Sequence, residues 1–260
     1  MNIEPPFFSI VLIVPDSYHL VLVTVNSLCE QTFQDFELIV VEHGLPESDM
    51  EMLKNSLPQI TKIHSSYLQD HARLMNKGLG FAKGKYVQFL LPGDVLLSKH
   101  VLLELKKKVE ENDFPQIVAS GYLDREEKKT GDVICRPLLL DVLKKGQMPT
   151  RLQSIYFLRI VLEEAHGFNK RYQYREDFEL LCRLLKNKKR KIFFVPRIFV
   201  DYVFRRKNTK QFLGVEWETM RVLYRHFGVV TLFLWLFFQN HFHLFEWWFR
   251  SIKQDFFRRA

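Results

Sequence analysis

The sequence predicts an α/β fold: a mostly parallel sheet flanked by helices, with a C-terminal amphipathic helical tail. Three observations predict it. Ser9 to Val14 is an unbroken apolar run closed by Pro15, the signature of a strand buried on both faces. Similar runs alternate with segments of helical period along the chain, as βαβ units do. Many of the 24 phenylalanines then crowd into the last stretch, from Phe227 onward.

After the first strand, His19 to Gln31 reads as a helix and Phe36 to Val41 as a second buried strand, ending at Glu42-His43-Gly44. Ala72, Met75, Leu79 and Ala82 share one helical face. The strand Tyr86 to Leu91 follows and stops at a lone acid, Asp94. Val101, Leu105 and Val109 mark the next helix and Gln116 to Ser120 a strand. Residues 121 to 150 are mixed and charged and read as a loop-rich connection. Phe178, Leu181, Cys182 and Leu185 form one face of a helix that begins at Glu176-Asp177. A strand from Ile192 to Val195 ends at Pro196. One domain over residues 7–214 and a helical, aromatic-rich tail over 215–260 is the simplest division.

The chain has 260 residues, 47% of them hydrophobic and 26% charged, which suits a globular protein and excludes a disordered one. Its formal charge of +8 favours an anionic partner without choosing among nucleic acid, an acidic membrane surface and a phosphorylated ligand. Cys29, Cys135 and Cys182 are far apart and read as reduced core thiols of a cytosolic protein. The first residues lack the basic and apolar regions of a secretory signal. Gly78, Gly80 and Gly84 have the wrong spacing for a dinucleotide fingerprint. His241 and His243, two apart, fall on different helical faces and no carboxylate or thiol completes a zinc set. The Lys188 to Lys191 run follows a helix end, where cations are ordinary, and has no interleaved aromatics, so no nucleic acid partner is expected.

A strand that delivers one acid, Asp94, to the carboxyl edge of a parallel sheet is where α/β enzymes hold a metal or a nucleotide. Pro92-Gly93-Asp94 would also serve simply as a turn, the less favoured reading. Acids at a helix start, such as Glu176 and Asp177, also stabilise the helix dipole by about 0.3–1 kcal/mol.

Several segments in order resemble the family 2 glycosyltransferases: Ser9 to Pro15 (SIVLIVP), Ser27 to Val41 (SLCEQTFQDFELIVV), Met75 to Leu79 (MNKGL), Ala82 to Tyr86 (AKGKY), Phe89 to Asp94 (FLLPGD), His166 to Asn169 (HGFN), Glu176-Asp177 and Phe194 to Pro196 (FVP). The resemblance spans roughly residues 7–210 and implies a GT-A fold, with a Rossmann-like nucleotide half and an acceptor half. It implies transfer of a sugar from a nucleotide sugar, a UDP-sugar first among donors, to a glycan or lipid-linked acceptor with inversion. It further implies that Asp94 holds Mg²⁺ or Mn²⁺ and the diphosphate, with Gly93 beside it. Pro15, Glu42 and His43 would line the nucleotide pocket, and Asp177, with Glu176 beside it, would deprotonate the acceptor hydroxyl. The chain departs from the family pattern twice: Leu91 stands where an earlier acid is usual, and His43 where an Asp reads the base. These departures keep open a silent scaffold that binds a nucleotide sugar or glycan.

The tail adds Phe245, Trp248, Phe249, Ile252 and Phe256 along one helical face, with Arg250, Lys253 and Arg258 elsewhere around it. Such a helix suits the headgroup region of anionic lipid, and also a helix packed on protein. The expected location is the cytoplasm, at the inner face of the membrane.

Overall fold

The computed structural model describes residues 4–14, 20–44, 46–48, 51, 61–65, 70–125, 131–203 and 209–238. Pro15 and the tail beyond Phe238 lie outside the described residues. Strand β1 (Phe8–Val14) leads into α1 (Val21–Cys29), β2 (Phe36–Glu42), β3 (Thr61–Ser65), α2 (His71–Phe81), β4 (Tyr86–Leu90), β5 (Val95–Leu96) and α3 (Val101–Glu111). The second half runs β6 (Ile117–Arg125), β7 (Asp132–Ile134), α4 (Leu140–Lys144), a 3-10 turn (Leu152–Ser154), β8 (Ile155–Leu158), α5 (Arg159–Glu164), α6 (Glu176–Lys186), β9 (Ile192–Val203) and α7 (Thr209–Phe238).

The strands form one sheet in the order β3-β2-β1-β4-β8-β6-β9-β5, with β7 paired to β6. Its first half, β3 to β4, is parallel as expected. Beyond β4 it is mixed: β8 runs antiparallel to both β4 and β6, while β6 and β9 are parallel. Alternate residues of the buried strands feed two cores. Val11, Ile13, Ile39, Val41 and Phe89 face α2 and α6, whereas Ile10, Leu12, Leu38, Val40 and Leu90 face α1 and α3. Burial on both faces is why these strands read as continuous apolar runs.

Several motif residues prove to be fasteners of this scaffold. A Cβ on Gly78 would lie 2.3 Å from Val11 Cγ1, so only glycine lets α2 lie this close to β1. Ser9 Oγ donates to Glu37 Oε1 at 2.7 Å and accepts the Gly84 N–H at 2.8 Å, joining three of the resemblance segments. Gln31 bonds the Ser98 carbonyl and the Leu102 N–H, at 2.8 and 3.1 Å.

Three expectations need correction. The stretch from 121 to 150 contains the end of β6, the exposed β7 and the five-residue α4, all too short or too solvated to show a period. Strand β9 does not stop at Pro196 but continues to Val203. It does so through a bulge, since Val195 pairs Ser120 while Ile198 pairs Gly121, which leaves Pro196 and Arg197 outside the ladder. Cys182 is buried, but Cys29 and Cys135 are exposed and not core thiols. Helix α7 spans residues 214 and 215, and its Val215, Val222 and Leu223 are buried. That helical run bends at Gly228, where φ is +82°.

Candidate active site

In a doubly wound sheet, ligands bind at the carboxyl ends of the strands where the winding reverses. Here β1 lies between β2 and β4, so the reversal lies between the ends of β1 and β4. The carboxyl edge carries Glu42 and His43 after β2, and the His43 N–H donates to Val14 O at 3.0 Å to hold the two strand ends together. Glu42 is buried and His43 is half-buried.

The turn after β4 closes on itself. The Leu91 N–H donates to Asp94 Oδ2 at 2.8 Å, and the Asp94 N–H to Leu91 O at 3.0 Å. Gly93, at φ +96°, donates its N–H to Thr24 Oγ1 at 2.8 Å, which fixes the turn to α1. A Cβ at that position would crowd Leu20 and Val203, at 3.1 and 3.2 Å. Asp94 has no exposed surface.

This bears on the expected Mg²⁺ or Mn²⁺. A divalent cation needs several oxygens open to it, with Mg²⁺ keeping waters of its own. The turn offers an apolar Leu91, a Gly93 without a side chain, and an Asp94 that is closed off from solvent and has one oxygen committed to the backbone. Among the described residues no three His, Cys, Asp or Glu side chains group as ligands. Among the described residues the turn thus offers a cation one carboxylate oxygen, the buried Asp94 Oδ1, and no second acid.

The second expected acid pair is delivered to the same edge. Helix α2 starts where β3 has ended, capped by Asp70 Oδ1 accepting the Ala72 N–H at 2.9 Å. Its first residue, His71, meets Glu176 Oε1 through Nδ1 at 3.2 Å, so the start of α6 touches the half of the fold built on β1 to β4. Glu176 is buried, and burial pushes its carboxyl pKa up; the His71 hydrogen bond acts in the opposite direction. Asp177 follows, half-buried, with Oδ1 accepting the Phe178 N–H at 2.7 Å.

Other groups at this edge left no signal in the sequence. Strand β4 is antiparallel to β8, so the turn entering β8 lies beside the end of β4, and Gln88 Nε2 bonds Gln153 O there at 2.6 Å. Arg151, in that turn, pairs with Asp124 at 3.0 Å and lies over the Tyr202 ring at 4.7 Å. Asp201, buried on β9, pairs with Arg125 at 2.9 Å, and burial raises its pKa despite that partner. These side chains converge only because β6 and β9 end on the same edge as β4. A separate pocket of about 540 Å³ opens near Glu179, with Lys170, Arg171, Arg183 and Arg225 on its wall, and none of the expected site residues lines it.

The sequence profile of the family described as "Glycosyl transferase family 2" matches residues 9–160. An uncharacterized glycosyltransferase of Haemophilus influenzae is 24% identical over 67% of this chain, which spans 58% of that protein's length. A glycosyltransferase of PGL/p-HBAD biosynthesis from Mycobacterium bovis is 23% identical over 70% of this chain and 71% of its own. In structure, S. aureus TarS 1-349 in complex with UDP superposes at a TM-score of 0.66 and 15% identity, covering 84% of this chain and 64% of that one. The mannosyltransferase PcManGT of Pyrobaculum calidifontis, in complex with GDP-Man and Mn²⁺, superposes at 0.62 and 13% identity, over 85% of this chain and 64% of its own. The architecture is that of the GT-A glycosyltransferases, and the chain belongs to glycosyl transferase family 2.

Proposed function

We propose that this chain is an inverting glycosyltransferase that moves a sugar from a nucleotide sugar to a hydroxyl of a cell-surface glycan or glycolipid precursor. The observation that carries the reading is the His71–Glu176 contact, which ties the Glu176-Asp177 turn to the sheet edge where β4 ends in Asp94. In this scheme Asp177 accepts the proton of the acceptor hydroxyl as it attacks the anomeric carbon, a role worth about 10²–10⁴-fold in rate. Glu176 orients that turn through His71. Asp94 shapes the turn whose backbone faces the donor, and the ends of β1 and β2, with Glu42 and His43, hold the nucleotide.

The departing diphosphate needs positive charge. Arg151, in the turn beside β4 and paired with Asp124, is the cation of this edge that would meet it. Neighbours bound to UDP and to GDP-Man keep both nucleotides in view as donors for this chain.

A silent nucleotide-sugar-binding scaffold is the second reading, favoured by Leu91 and Gly93 flanking a buried Asp94. Calorimetry with a panel of UDP-, GDP- and dTDP-sugars, with and without Mn²⁺, followed by a test for slow sugar release, separates the two. Binding with sugar release supports the transferase, and binding without release supports the scaffold. No binding of any donor contradicts both.

We also infer an anionic membrane surface as partner, at the inner face of the membrane. Leu213, Trp217, Tyr224, Val230, Phe233 and Phe237 are exposed along α7. By length and composition Thr209–Phe237 is apolar enough to cross a membrane. The bend at Gly228 and the buried Glu218 and Thr219 favour a helix that lies on lipid.

A further inference from the structure

We propose that Glu218 is a positioning residue for the reaction, holding the segment before Glu176-Asp177 at the angle the base requires. The role rests on the reading of Asp177 as that base. The backbone just before α6 presents N–H groups that no side chain of its own turn satisfies, and Arg175 at the N-cap makes no capping bond. Backbone N–H groups withdrawn from water need such acceptors from somewhere.

One carboxylate from α7 meets the need. Glu218 Oε1 accepts the Gln173 N–H at 2.8 Å, and Oε2 accepts those of Tyr174 and Arg175 at 2.8 and 2.9 Å. Glu218 is itself buried, and hydrogen bonds to an ionised acceptor in such surroundings are about twice as strong as neutral ones. The next residue, Thr219, accepts the Arg175 Nε–H at 2.8 Å, while Arg175 Nη2 donates to Gly146 O at 2.9 Å. Both the backbone and the side chain of the residue preceding Glu176 are therefore held from outside the segment.

The rest of α7 follows the same line. A Cβ on Gly214 would lie 2.3 Å from the Tyr174 ring, and the Arg221 guanidinium lies 5.3 Å from the Tyr172 ring centre. Residues 214, 218 and 221 share one helical face, so successive turns of α7 seat on residues 172–175. Asp177 lies two positions beyond that seat. Catalytic geometry is sensitive to displacements of this kind, with about 100-fold in rate riding on roughly 1 Å.

The test uses the full chain and two readouts. Glu218→Gln keeps the shape but turns an NH₂ toward an N–H, losing at least one of the three bonds. Hydrogen exchange of the amides of residues 173–175 should then accelerate. In the transfer assay kcat should fall about tenfold or more, with the donor KM within about twofold. Val109→Ala, a core truncation on α3, supplies a stability control and should keep its kcat. If Glu218→Gln does not fold, Glu218→Asp, which keeps the charge but shortens the reach, is read the same way. Unchanged exchange at 173–175 overturns the clamp. Accelerated exchange with unchanged kcat, or an equal kcat loss in Val109→Ala, overturns the positioning role. A wild-type chain that binds donors but transfers no sugar refutes the transferase reading instead, and exchange still judges the clamp.

Discussion

Asn76→Ala is the sharpest test of how the two halves are joined. Asn76 on α2 grips the backbone of Phe168 on both sides: its Nδ2 donates to Phe168 O and its Oδ1 accepts the Phe168 N–H, each at 2.7 Å. Gly167, at φ +66°, permits that approach, since a Cβ there would lie 2.2 Å from Asn76 Oδ1. The gripped Phe168 is 2% exposed and its ring meets Phe89 edge-on, with centroids 5.0 Å apart. Each bond contributes about 1 kcal/mol net, and leaving a buried backbone group unsatisfied adds to that, so the pair is worth about 3 kcal/mol. For a chain of this size that is a fall of about 6–12 °C in Tm. Thermal unfolding by circular dichroism reads it. Asn169→Ala serves as the control, because among the described residues Asn169 Oδ1 accepts only an exposed Arg171 N–H at 3.1 Å, and it should stay within about 0.5 kcal/mol of wild type. A fall for Asn76→Ala no larger than that of the control would refute the clamp and the energy assigned to it.

Glu179 gives a pH prediction. Burial alone would raise its pKa, but the His226 hydrogen bond and the paired Arg183 outweigh it and hold the carboxyl below the usual range. A depressed carboxyl contributes stability above its unfolded value, about 4.3, that is lost as pH falls through the folded one. Glu179→Gln should therefore flatten the loss of stability below about pH 4, and acid slopes identical to wild type would contradict this. Gly84→Ala should cost about 3 kcal/mol by overpacking in urea unfolding, because its Cβ would lie 2.5 Å from Ser9 N, backbone that cannot rotate away. An unchanged midpoint would count against it. Val230→Glu with Phe233→Glu, both positions exposed on α7, should reduce flotation with anionic vesicles. Equal flotation would remove the lipid-facing role of this helix.

The strands β1, β2 and β4 were legible because burial on both faces writes an unbroken apolar run into the sequence. Helices α2 and α6 were legible by their periodic apolar faces. What escaped notice has physical causes. Strand β7 is solvated and α4 is barely one turn, so neither imposes a pattern. Pro196 reads as a strand end because the bulge that accommodates it is made by pairing with distant β6. At the site, an acid after β4 was visible, but nothing local could tell that Asp94 turns inward to close its own turn. The contacts His71–Glu176 and Glu218 with residues 173–175 join positions 105 and about 44 apart, and no periodicity records them. The glycines at 78 and 84 were visible as motif pieces, and their cause is steric: two helix and loop backbones lying against β1.

The most direct measurement is donor binding and sugar transfer by Asp177→Asn alongside wild type. The account predicts donor affinity within about threefold of wild type and a kcat lower by about 10²-fold or more, since the amide cannot take the acceptor's proton. Transfer by Asp177→Asn at the wild-type rate would contradict it.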